Sequence, residues 1–330
     1  MQMNYKTKNT TYSTILVTGS AGFIGFHTSL ELLKKGFSVI GIDNFNDYYS
    51  PELKEKRNKI LNSYKSFKLY RGDICDKELI FTVLNKEKPD KICHLAAQAG
   101  VRYSIEKPNA YLDSNVIGFL NILEGMAKIG TKHIVYASSS SVYGGNKKIP
   151  FSESDSVCKP LSMYATTKRM NELMAYNYHQ LYGINSTGLR FFTVYGEFGR
   201  PDMALYIFTK NILDGTPIKV FNYGRMKRNF TYINDIVNGV CLSLENEFDY
   251  QIFNLGNNKT VELSYFINKI ENLLNKKAIR EFLPIQEGDV PETLADISKA
   301  ETMLGFQAKT DIDLGVKRFI NWYLEYNNTK

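Results

Sequence analysis

Cysteine, histidine and tryptophan are scarce in this chain, which has four, four and one of them among 330 residues. The cysteines are scattered, at Cys75, Cys93, Cys158 and Cys241, and none forms a Cys-x-x-Cys pair or has a histidine at zinc-ligand spacing. The pattern argues against a metal centre. It favours free thiols, which are typical of proteins in the reducing cytoplasm.

Long apolar runs and blocks of like charge are also absent. No stretch approaches the roughly 20 apolar residues of a membrane-spanning helix, and the polar first dozen residues contain no signal-peptide core. We expect that dozen to be an extension outside the fold. The net charge of +7 comes from basic residues dispersed among acidic ones, which predicts a solvated surface rather than a nucleic-acid-binding face. The most basic stretch, residues 54–59, is expected to be one face of an exposed helix.

Strand-like and helix-like segments alternate from residue 14 onward. Apolar runs predict six strands, over residues 14–19, 37–43, 67–74, 91–97, 133–139 and 186–192. Amphipathic spacing predicts helices after the first strand, over 108–130 and over 164–182. This alternation predicts an α/β fold of the Rossmann type, a doubly wound parallel sheet with right-handed crossovers.

The rhythm becomes less regular after residue 192, where helices are predicted over 203–214, 262–276 and 311–326. We interpret these elements as a smaller C-terminal α/β lobe for the substrate. The expected division is a nucleotide-binding domain over 1–188 and the smaller lobe over 189–330, with 230–256 as a segment that can return to the first domain.

Three glycines, Gly19, Gly22 and Gly25, separate the first strand from the first helix. Without side chains there, the pyrophosphate of a dinucleotide can approach the backbone N–H groups at the helix N-terminus. Asp43 ends the second strand, where a carboxylate binds both ribose hydroxyls and repels a 2′-phosphate. The pattern therefore favours NAD over NADP, and capping of the next segment is the alternative role for Asp43. Asp73 ends the third strand, at a position that often faces adenine.

A tyrosine followed four residues later by lysine occurs eight times, so this spacing alone identifies no catalytic base. Tyr164 and Lys168 form the pair at the head of the helix that follows the fifth strand, and that strand ends in four serines at 138–141. The carboxyl edge of a parallel sheet is where cofactor and substrate meet. Because an unperturbed tyrosine titrates near 10, we expect the charge of Lys168 to lower the pKa of Tyr164 and its amine to bind the nicotinamide ribose.

Several longer blocks make the chain resemble the extended short-chain dehydrogenase/reductase family, and its UDP-glucuronate 4-epimerase branch in particular. They include GIDNFNDYYSPELKEKR (41–57), SSSSVYG (138–144), MYATTKRMNELMA (163–175) and EGDVPETLAD (287–296). The resemblance covers about residues 13–326. It implies that Tyr164 takes the proton of the sugar 4-hydroxyl while C4 gives a hydride to NAD⁺, and that Ser139 shares the proton. The 4-keto sugar then turns, and the hydride returns to its opposite face.

The resemblance also implies binding residues, each of which has packing as its alternative role. Those expected to line NAD, besides the three glycines, are Phe23, Ile24, Asp43, Asn44, Asp73, Ile74, Leu95, Ala96, Ala97, Gln98, Asn115, Tyr164, Lys168 and Phe192. Those expected to hold the UDP-sugar are Arg102, Ser139, Ser140, Ser141, Thr193, Arg200, Arg228, Gln286 and Asp289. Among them, Arg228 matches a diphosphate-binding arginine, and Gln286 and Asp289 match the uridine region. A homodimer formed through the helices over 108–130 and 164–182 is implied in the same way.

The choice of sugar depends on a few positions. Related 4,6-dehydratases carry an Asp-Glu pair where this chain has Ser140 and Ser141, and two serines cannot supply the acid and base that elimination of water requires. Glucuronate oxidised at C4 is a β-keto acid that can lose CO₂. An epimerase must therefore hold the carboxylate in poor alignment with the keto group. Ser140, Ser141 and Thr193 offer neutral hydroxyls for this, and the resemblance implies Arg200 as a neighbouring control element.

Three alternatives remain at this stage: an epimerase for UDP-glucose or UDP-N-acetylglucosamine, a UDP-glucuronate decarboxylase, and a non-enzymatic NAD-binding regulator. Such regulators usually lose the tyrosine or the lysine of the pair, which this chain retains. Two positions depart from the family pattern. Asn229 stands where many relatives have aspartate, and Gly-Glu-Phe at 196–198 replaces a more common Gly-Pro-Trp.

Overall fold

A seven-stranded parallel sheet forms the centre of the computed structural model, which describes residues 13–286 and 290–328. Numbered in chain order, its strands are β1 (Thr14–Thr18), β2 (Ser38–Asp43), β3 (Phe67–Arg71), β4 (Lys91–His94), β5 (His133–Ser139), β6 (Asn185–Phe191) and β11 (Tyr250–Leu255). The spatial order is β11-β6-β5-β4-β1-β2-β3. The predicted fold class is confirmed, and each of the six predicted strands is present with slightly different ends.

Helices cover both faces of this sheet, so successive strand residues are buried on opposite sides. In β1, Ile15 and Val17 join one apolar cluster and Leu16 joins the other. The helices flanking the sheet are α1 (Phe23–Lys34), α2 (Pro51–Leu61), α3 (Lys77–Glu87), α6 (Gly118–Ile129), α7 (Met163–Tyr182) and α9 (Ile233–Glu245). Residues of α1 and α9 contribute to the first cluster, and those of α3, α6 and α7 to the second.

The single helix predicted over 108–130 is interrupted. Short helices α4 (Tyr103–Glu106) and α5 (Pro108–Tyr111) precede a π-helical turn over Leu112–Ile117, and α6 follows that turn. The wider turn carries Asn115, whose side chain is buried. Extra residues of this kind in a helix are common at functional sites, and here the turn brings an amide side chain toward the end of β4.

The remaining elements form a smaller group around the C-terminal half. Three two-stranded sheets pair β7 (Thr193–Tyr195) with β10 (Phe230–Tyr232), β8 (Ile218–Phe221) with β13 (Arg280–Leu283), and β9 (Lys227–Arg228) with β12 (Val261–Glu262). The helices are α8 (Ala204–Asp214), α10 (Leu263–Leu274), α11 (Ser298–Leu304) and α12 (Ile312–Asn328). Between them, β11 returns to the main sheet and pairs with β6 along its edge.

The basic stretch over 54–59 is not the uniformly exposed face that its composition predicts. In α2, Lys54 and Arg57 are buried. Arg57 donates from Nη1 to the carbonyl of Ala21, at 2.8 Å, and from Nη2 to the carbonyl of Phe198, at 2.6 Å. The prediction fails because α2 packs between two loops whose carbonyl groups need donors, and a guanidinium supplies several at once.

No helix in the described residues is long and apolar enough to span a membrane.

Candidate active site

The glycine loop lies at the carboxyl ends of the central strands. Gly19 has φ of +70°, and a Cβ there would come within 2.8 Å of the Ala96 nitrogen. A Cβ on Gly25 would come within 2.0 Å of the Gly19 carbonyl oxygen. Side chains are therefore excluded at both positions, and Phe23 and Ile24 lie between Gly22 and Gly25 in the first turn of α1. A bare backbone at a helix N-terminus is the cradle that a pyrophosphate requires.

Asp43 lies at the end of β2 and is buried. Its carboxylate accepts hydrogen bonds from the N–H of Ala21, at 3.0 Å, and of Phe45, at 2.9 Å. It thus caps the next turn and also fixes the glycine loop, and further lone pairs remain for ribose hydroxyls. Nearby, Asn44 donates to Asp73 at 2.8 Å. The residues predicted for the adenosine half of NAD therefore lie together.

The segment after β4, residues 95–98, is fixed by side chains from two other elements. The backbone N–H of Ala96 donates to Thr18 Oγ1 at 3.1 Å. Asn115 accepts from the N–H of Gln98, at 2.8 Å, and donates to the carbonyl of Gln98 and to Thr167 Oγ1, both at 3.0 Å. Within the described residues, Gln98 Nε2 is buried without a hydrogen-bond partner. An orphaned donor beside a glycine cradle fits a bound dinucleotide.

Ser139 and Tyr164 occupy the adjoining edge. Ser162 caps α7 by accepting from the N–H of Ala165, which places Tyr164 in the first helical turn. Ser139 ends β5, and its oxygen accepts from the N–H of Ser141 at 3.1 Å. That bond uses one of the two lone pairs of the Ser139 oxygen and leaves the hydroxyl proton for Tyr164, and the hydrogen bond between the two side chains acts to lower the pKa of the tyrosine.

Lys168 lies one turn after Tyr164, is 2% exposed, and donates to the carbonyl of Ala137 at 2.8 Å. Burial lowers the pKa of Lys168 to about 7. Burial raises the pKa of Tyr164, and the hydrogen bond with Ser139 and the charge of Arg200 oppose this rise. Lys168 is not among the groups that oppose this rise, so the expected lowering of the tyrosine pKa by Lys168 is not seen in this structure.

A buried ion pair lies beneath Ser139, Tyr164 and Lys168, and the sequence analysis did not predict it. Glu172 lies two turns after Tyr164 and accepts from Arg190 Nε and Nη2, at 2.8 and 2.9 Å. The same carboxylate accepts from Ser138 Oγ at 2.7 Å. Glu172 is eight residues after Tyr164 and therefore lies on the same face of α7, which could have been inferred from the sequence. Its partner on β6 could be recognised only from the fold.

Arg200 lies beside the tyrosine, after β7. Its guanidinium binds the carboxylate of Asp202 through Nε and Nη2, and Tyr48 Oη donates to Asp202 at 3.0 Å. Arg200 and Thr193 line one cavity, while Ser140 and Ser141 begin a 3-10 turn after β5. The sequence analysis missed Tyr48 and Asp202, although Tyr48 belongs to the block over 41–57 and Asp202 lies two residues after Arg200.

Other predicted residues lie farther along the cleft. Arg228 donates to the carbonyls of Lys227, at 3.2 Å, and Pro291, at 3.3 Å, which places it in the C-terminal lobe. The exposed Arg102 lies 5.0 Å from the ring centre of Phe221. The predicted cofactor residues Ile74, Leu95, Ala97 and Phe192 are buried or partly buried, Gln286 is partly buried, and Asp289 lies outside the described residues. No group of residues suited to a metal ion is present in the described chain.

Comparisons with known proteins agree with this geometry. Residues 15–256 match the model of the NAD dependent epimerase/dehydratase family. The chain is 58% identical to an uncharacterised protein of Methanocaldococcus jannaschii, over 95% of this chain and 97% of the relative. It is 45% identical to UDP-glucuronate 4-epimerase 4 of Arabidopsis thaliana, over 95% and 76%. The crystal structure of UDP-glucuronic acid 4-epimerase from Bacillus cereus with UDP-glucuronic acid and NAD superimposes with a TM-score of 0.89 at 33% identity, over 95% and 99%.

Proposed function

This chain belongs to the NAD-dependent epimerase/dehydratase family, and we propose that it is a UDP-glucuronate 4-epimerase, which interconverts UDP-glucuronate and UDP-galacturonate. One observation carries the proposal most directly. The pair of Ser139 and Tyr164 lies beside Arg200, and the neighbouring positions Ser140 and Ser141 provide hydroxyls where dehydration would need an acid and a base. Relatives and solved structures that bear this activity in their names support it.

In the proposed reaction, the Tyr164 oxygen takes the proton of the 4-hydroxyl, and later returns a proton to the 4-oxygen. Ser139 donates its hydroxyl proton toward the developing charge, since the bond from the N–H of Ser141 uses only a lone pair of its oxygen and leaves the proton to be donated. The chemistry that NAD⁺ supplies when bound is reversible acceptance of the C4 hydride, so the net reaction consumes no cofactor. Burial by itself disfavours the phenolate form of Tyr164, and the positive charge of a nicotinamide ring nearby would offset this effect.

Lys168 has two tasks in this proposal. Its amine is fixed at the carbonyl of Ala137, on the strand whose last residue is Ser139, and two further protons remain for the ribose hydroxyls of the nicotinamide nucleotide. Bonds to those hydroxyls would favour the charged amine and raise its pKa from about 7. A more fully charged Lys168 would then assist deprotonation of the tyrosine.

The substrate is assigned from the groups that surround the reacting carbon. Ser140, Ser141 and Thr193 present hydroxyls that can bind a carboxylate without a full opposing charge. Arg200 is the cation of this region, and its charge is largely balanced by Asp202. We assign Arg228 to the diphosphate, because a guanidinium suits phosphate oxygens, and the segment from Gln286 onward to the uridine.

We also propose a cytoplasmic homodimer. Large apolar side chains are exposed along the π-helical turn and α7: Ile117 is 46% exposed, Leu173 52%, Tyr176 50% and Leu181 63%. Exposed large apolar side chains of this kind are suited to an interface, and a second copy would bury them symmetrically. The separate C-terminal sheets support a second, smaller unit, and β11 belongs to the first unit. The proposed boundary between residues 188 and 189 cuts β6, which lies whole in the main sheet, so the first unit extends to Phe191.

The decisive experiment incubates the purified protein with UDP-glucuronate alone and follows the sugar by NMR. We expect UDP-galacturonate to form until both epimers are present, without net NADH. The same assay with UDP-glucose and UDP-N-acetylglucosamine, run on the wild type and on Arg200→Ala, measures the preference of the enzyme for a sugar that carries a carboxylate. Recovery of unchanged UDP-glucuronate would refute the proposed function. Release of CO₂ in an amount equal to the substrate consumed would indicate a decarboxylase. Binding of NAD without turnover of any UDP-sugar would indicate a regulator.

A further inference from the structure

The block over residues 41–57 contains more than the cofactor residues Asp43 and Asn44. Tyr48, in the same block, donates from Oη to Asp202 Oδ2 at 3.0 Å. Asp202 in turn accepts from Arg200 Nε at 3.0 Å and from Nη2. One carboxylate thus joins a tyrosine from the nucleotide-binding half to an arginine after β7. This contact crosses the cleft in which the sugar of a UDP-sugar would lie.

The tyrosine is suited to act as a permanent donor in this contact. Burial, together with the negative charge of Asp202, raises the pKa of Tyr48 to about 12. Its hydroxyl therefore keeps its proton at every pH at which the enzyme would be assayed. The ring packs against Tyr103, with ring centres 4.9 Å apart, so the hydroxyl is directed by packing and by its hydrogen bond.

The backbone on the other side of the contact is anchored to the same block. Arg57 donates to Tyr49 Oη, at 2.7 Å, and to the carbonyl of Phe198, at 2.6 Å. Phe198 lies two residues before Arg200 and has φ of +54°. The loop that carries Arg200 is therefore connected to the block both through its backbone and through the Asp202 side chain.

The charge of Arg200 reaches the reacting centre. Its charge acts on Tyr164, and its side chain lines a cavity with Thr193. A Cβ added at Gly100 would lie 2.9 Å from Tyr48 Oη and 3.7 Å from Arg200 Nη2, so the two side chains converge on one point of the cleft. The side-on pair with Asp202 occupies two of the five N–H groups of Arg200 and leaves three for a ligand.

We propose that Tyr48 and Asp202 are positioning residues that hold Arg200 against the C5 carboxylate of the substrate and thereby suppress loss of CO₂ from the 4-keto intermediate. This inference rests on the proposed function. In decarboxylation, the C5–C6 bond breaks, its electron pair forms the enolate over C5, C4 and the 4-oxygen, and C5 later takes a proton. That step requires the C5–C6 bond to align with the keto π system. A guanidinium fixed against the carboxylate restrains the position of C6, so that the C5–C6 bond stays out of alignment with the keto π system.

The test measures how the intermediate partitions between two products. Holoenzyme variants Tyr48→Phe and Asp202→Asn are incubated with UDP-glucuronate labelled at C6, and the ratio of CO₂ to UDP-galacturonate is determined. We expect the ratio to rise several-fold in Tyr48→Phe and about tenfold or more in Asp202→Asn. Because both products arise from one intermediate in one site, loss of folded enzyme does not change the ratio.

Tyr265→Phe is the matched control. Tyr265 donates to Asp313 at 2.9 Å, and Asp313 pairs with Lys269 at 2.7 Å, so a similar tyrosine–carboxylate–cation triad, with lysine in place of arginine, joins α10 to α12. In Tyr265→Phe, the ratio of CO₂ to UDP-galacturonate should equal that of the wild type. An unchanged ratio in both site variants would overturn the inference, as would a folded Tyr48→Phe enzyme that makes neither product. A wild-type enzyme that does not convert UDP-glucuronate would instead overturn the proposed function.

Discussion

The two sides of the cleft are built differently. Around Tyr164, the supporting groups are buried: Lys168, Glu172 and Arg190 are each at most 2% exposed and are bonded to the chain itself. Around Arg200, the side chains of the arginine and of Asp202 are 19% and 31% exposed. A buried ion pair is costly to disturb, whereas partly exposed polar groups can exchange partners with a ligand.

This difference suggests a division of labour. The proton-transferring groups are held in one geometry before any ligand binds, which is what orientation-dependent catalysis requires. Under the proposed function, the selecting groups include Arg228 and Thr193, whose guanidinium and hydroxyl are suited to bind the sugar nucleotide. Substitutions on the first side should change the rate of reaction or the stability of the fold. Those on the second should change affinity or the product formed.

The largest expected effect is that of Tyr164→Phe. Removing the general base should lower kcat by roughly 10³-fold, within the usual range for such groups, because neither Ser139 nor Lys168 can replace the phenolate. NAD content, measured after extraction from the purified protein, should stay the same. A variant that retained most of the wild-type kcat would show that another group takes the proton.

Breaking the buried ion pair should have the next largest effect, on stability. In Glu172→Gln, the guanidinium of Arg190 loses its countercharge inside the protein, and we expect a loss of about 3–5 kcal/mol in the free energy of unfolding. Urea denaturation measures this change. Glu271→Gln is the matched control, because Glu271 is also buried but its partner Arg280 is 26% exposed. Equal losses in both variants would show that burial of the partner guanidinium does not determine the cost of losing the carboxylate.

The pH dependence of stability should report on Lys168. Its pKa is about 7 in the folded protein and near 10.5 as a free side chain. Between these values the unfolded chain binds a proton that the folded protein lacks, so stability should rise with pH. For the protein freed of NAD we expect a gain of about 2 kcal/mol from pH 6.5 to 8.5.

Lys168→Met separates this contribution from all others. The variant should lose the rise of about 2 kcal/mol in urea-unfolding measurements at the two pH values, because methionine has no proton to exchange. If the wild type and Lys168→Met showed the same dependence of stability on pH, the conclusion that burial lowers the pKa of Lys168 would be refuted.

The smallest expected effect lies on the selecting side, at Asn229. Its amide donates to the carbonyls of Asn257 and Lys259 and its oxygen accepts from the N–H of Asn257. Aspartate, which many relatives carry, would place an oxygen against two carbonyl oxygens. We expect Asn229→Asp to cost roughly 1 kcal/mol in unfolding free energy, because the exposed loop can shift, and to raise KM through the adjacent Arg228. Asn258→Asp, on the exposed part of that loop, should leave both quantities unchanged.

Local patterns predicted much of the fold and of the reacting groups. The glycine loop, the end of β2 and the head of α7 are each identified by residues close together in sequence, and parallel topology then brings them to one edge. The long helix over 108–130 was wrong in detail, because the π-helical turn depends on packing around Asn115. The exposed face expected for Lys54 and Arg57 was wrong because charge composition does not show which loops a helix will cover.

The sequence by itself determined that the chain folds as a doubly wound sheet, that it has a cradle for a dinucleotide, and which of eight tyrosines stands at the head of the helix after a serine-rich strand. These features follow from periodicity and from residues within a few turns of one another. Only the tertiary structure decided that Glu172 meets Arg190, and that Tyr48 reaches Asp202 and Arg200. Glu172 and Arg190 are 18 residues apart in the sequence, and Tyr48 and Asp202 are 154 apart. Side-chain hydrogen bonds over such separations form only after the sheet and the C-terminal lobe have packed together.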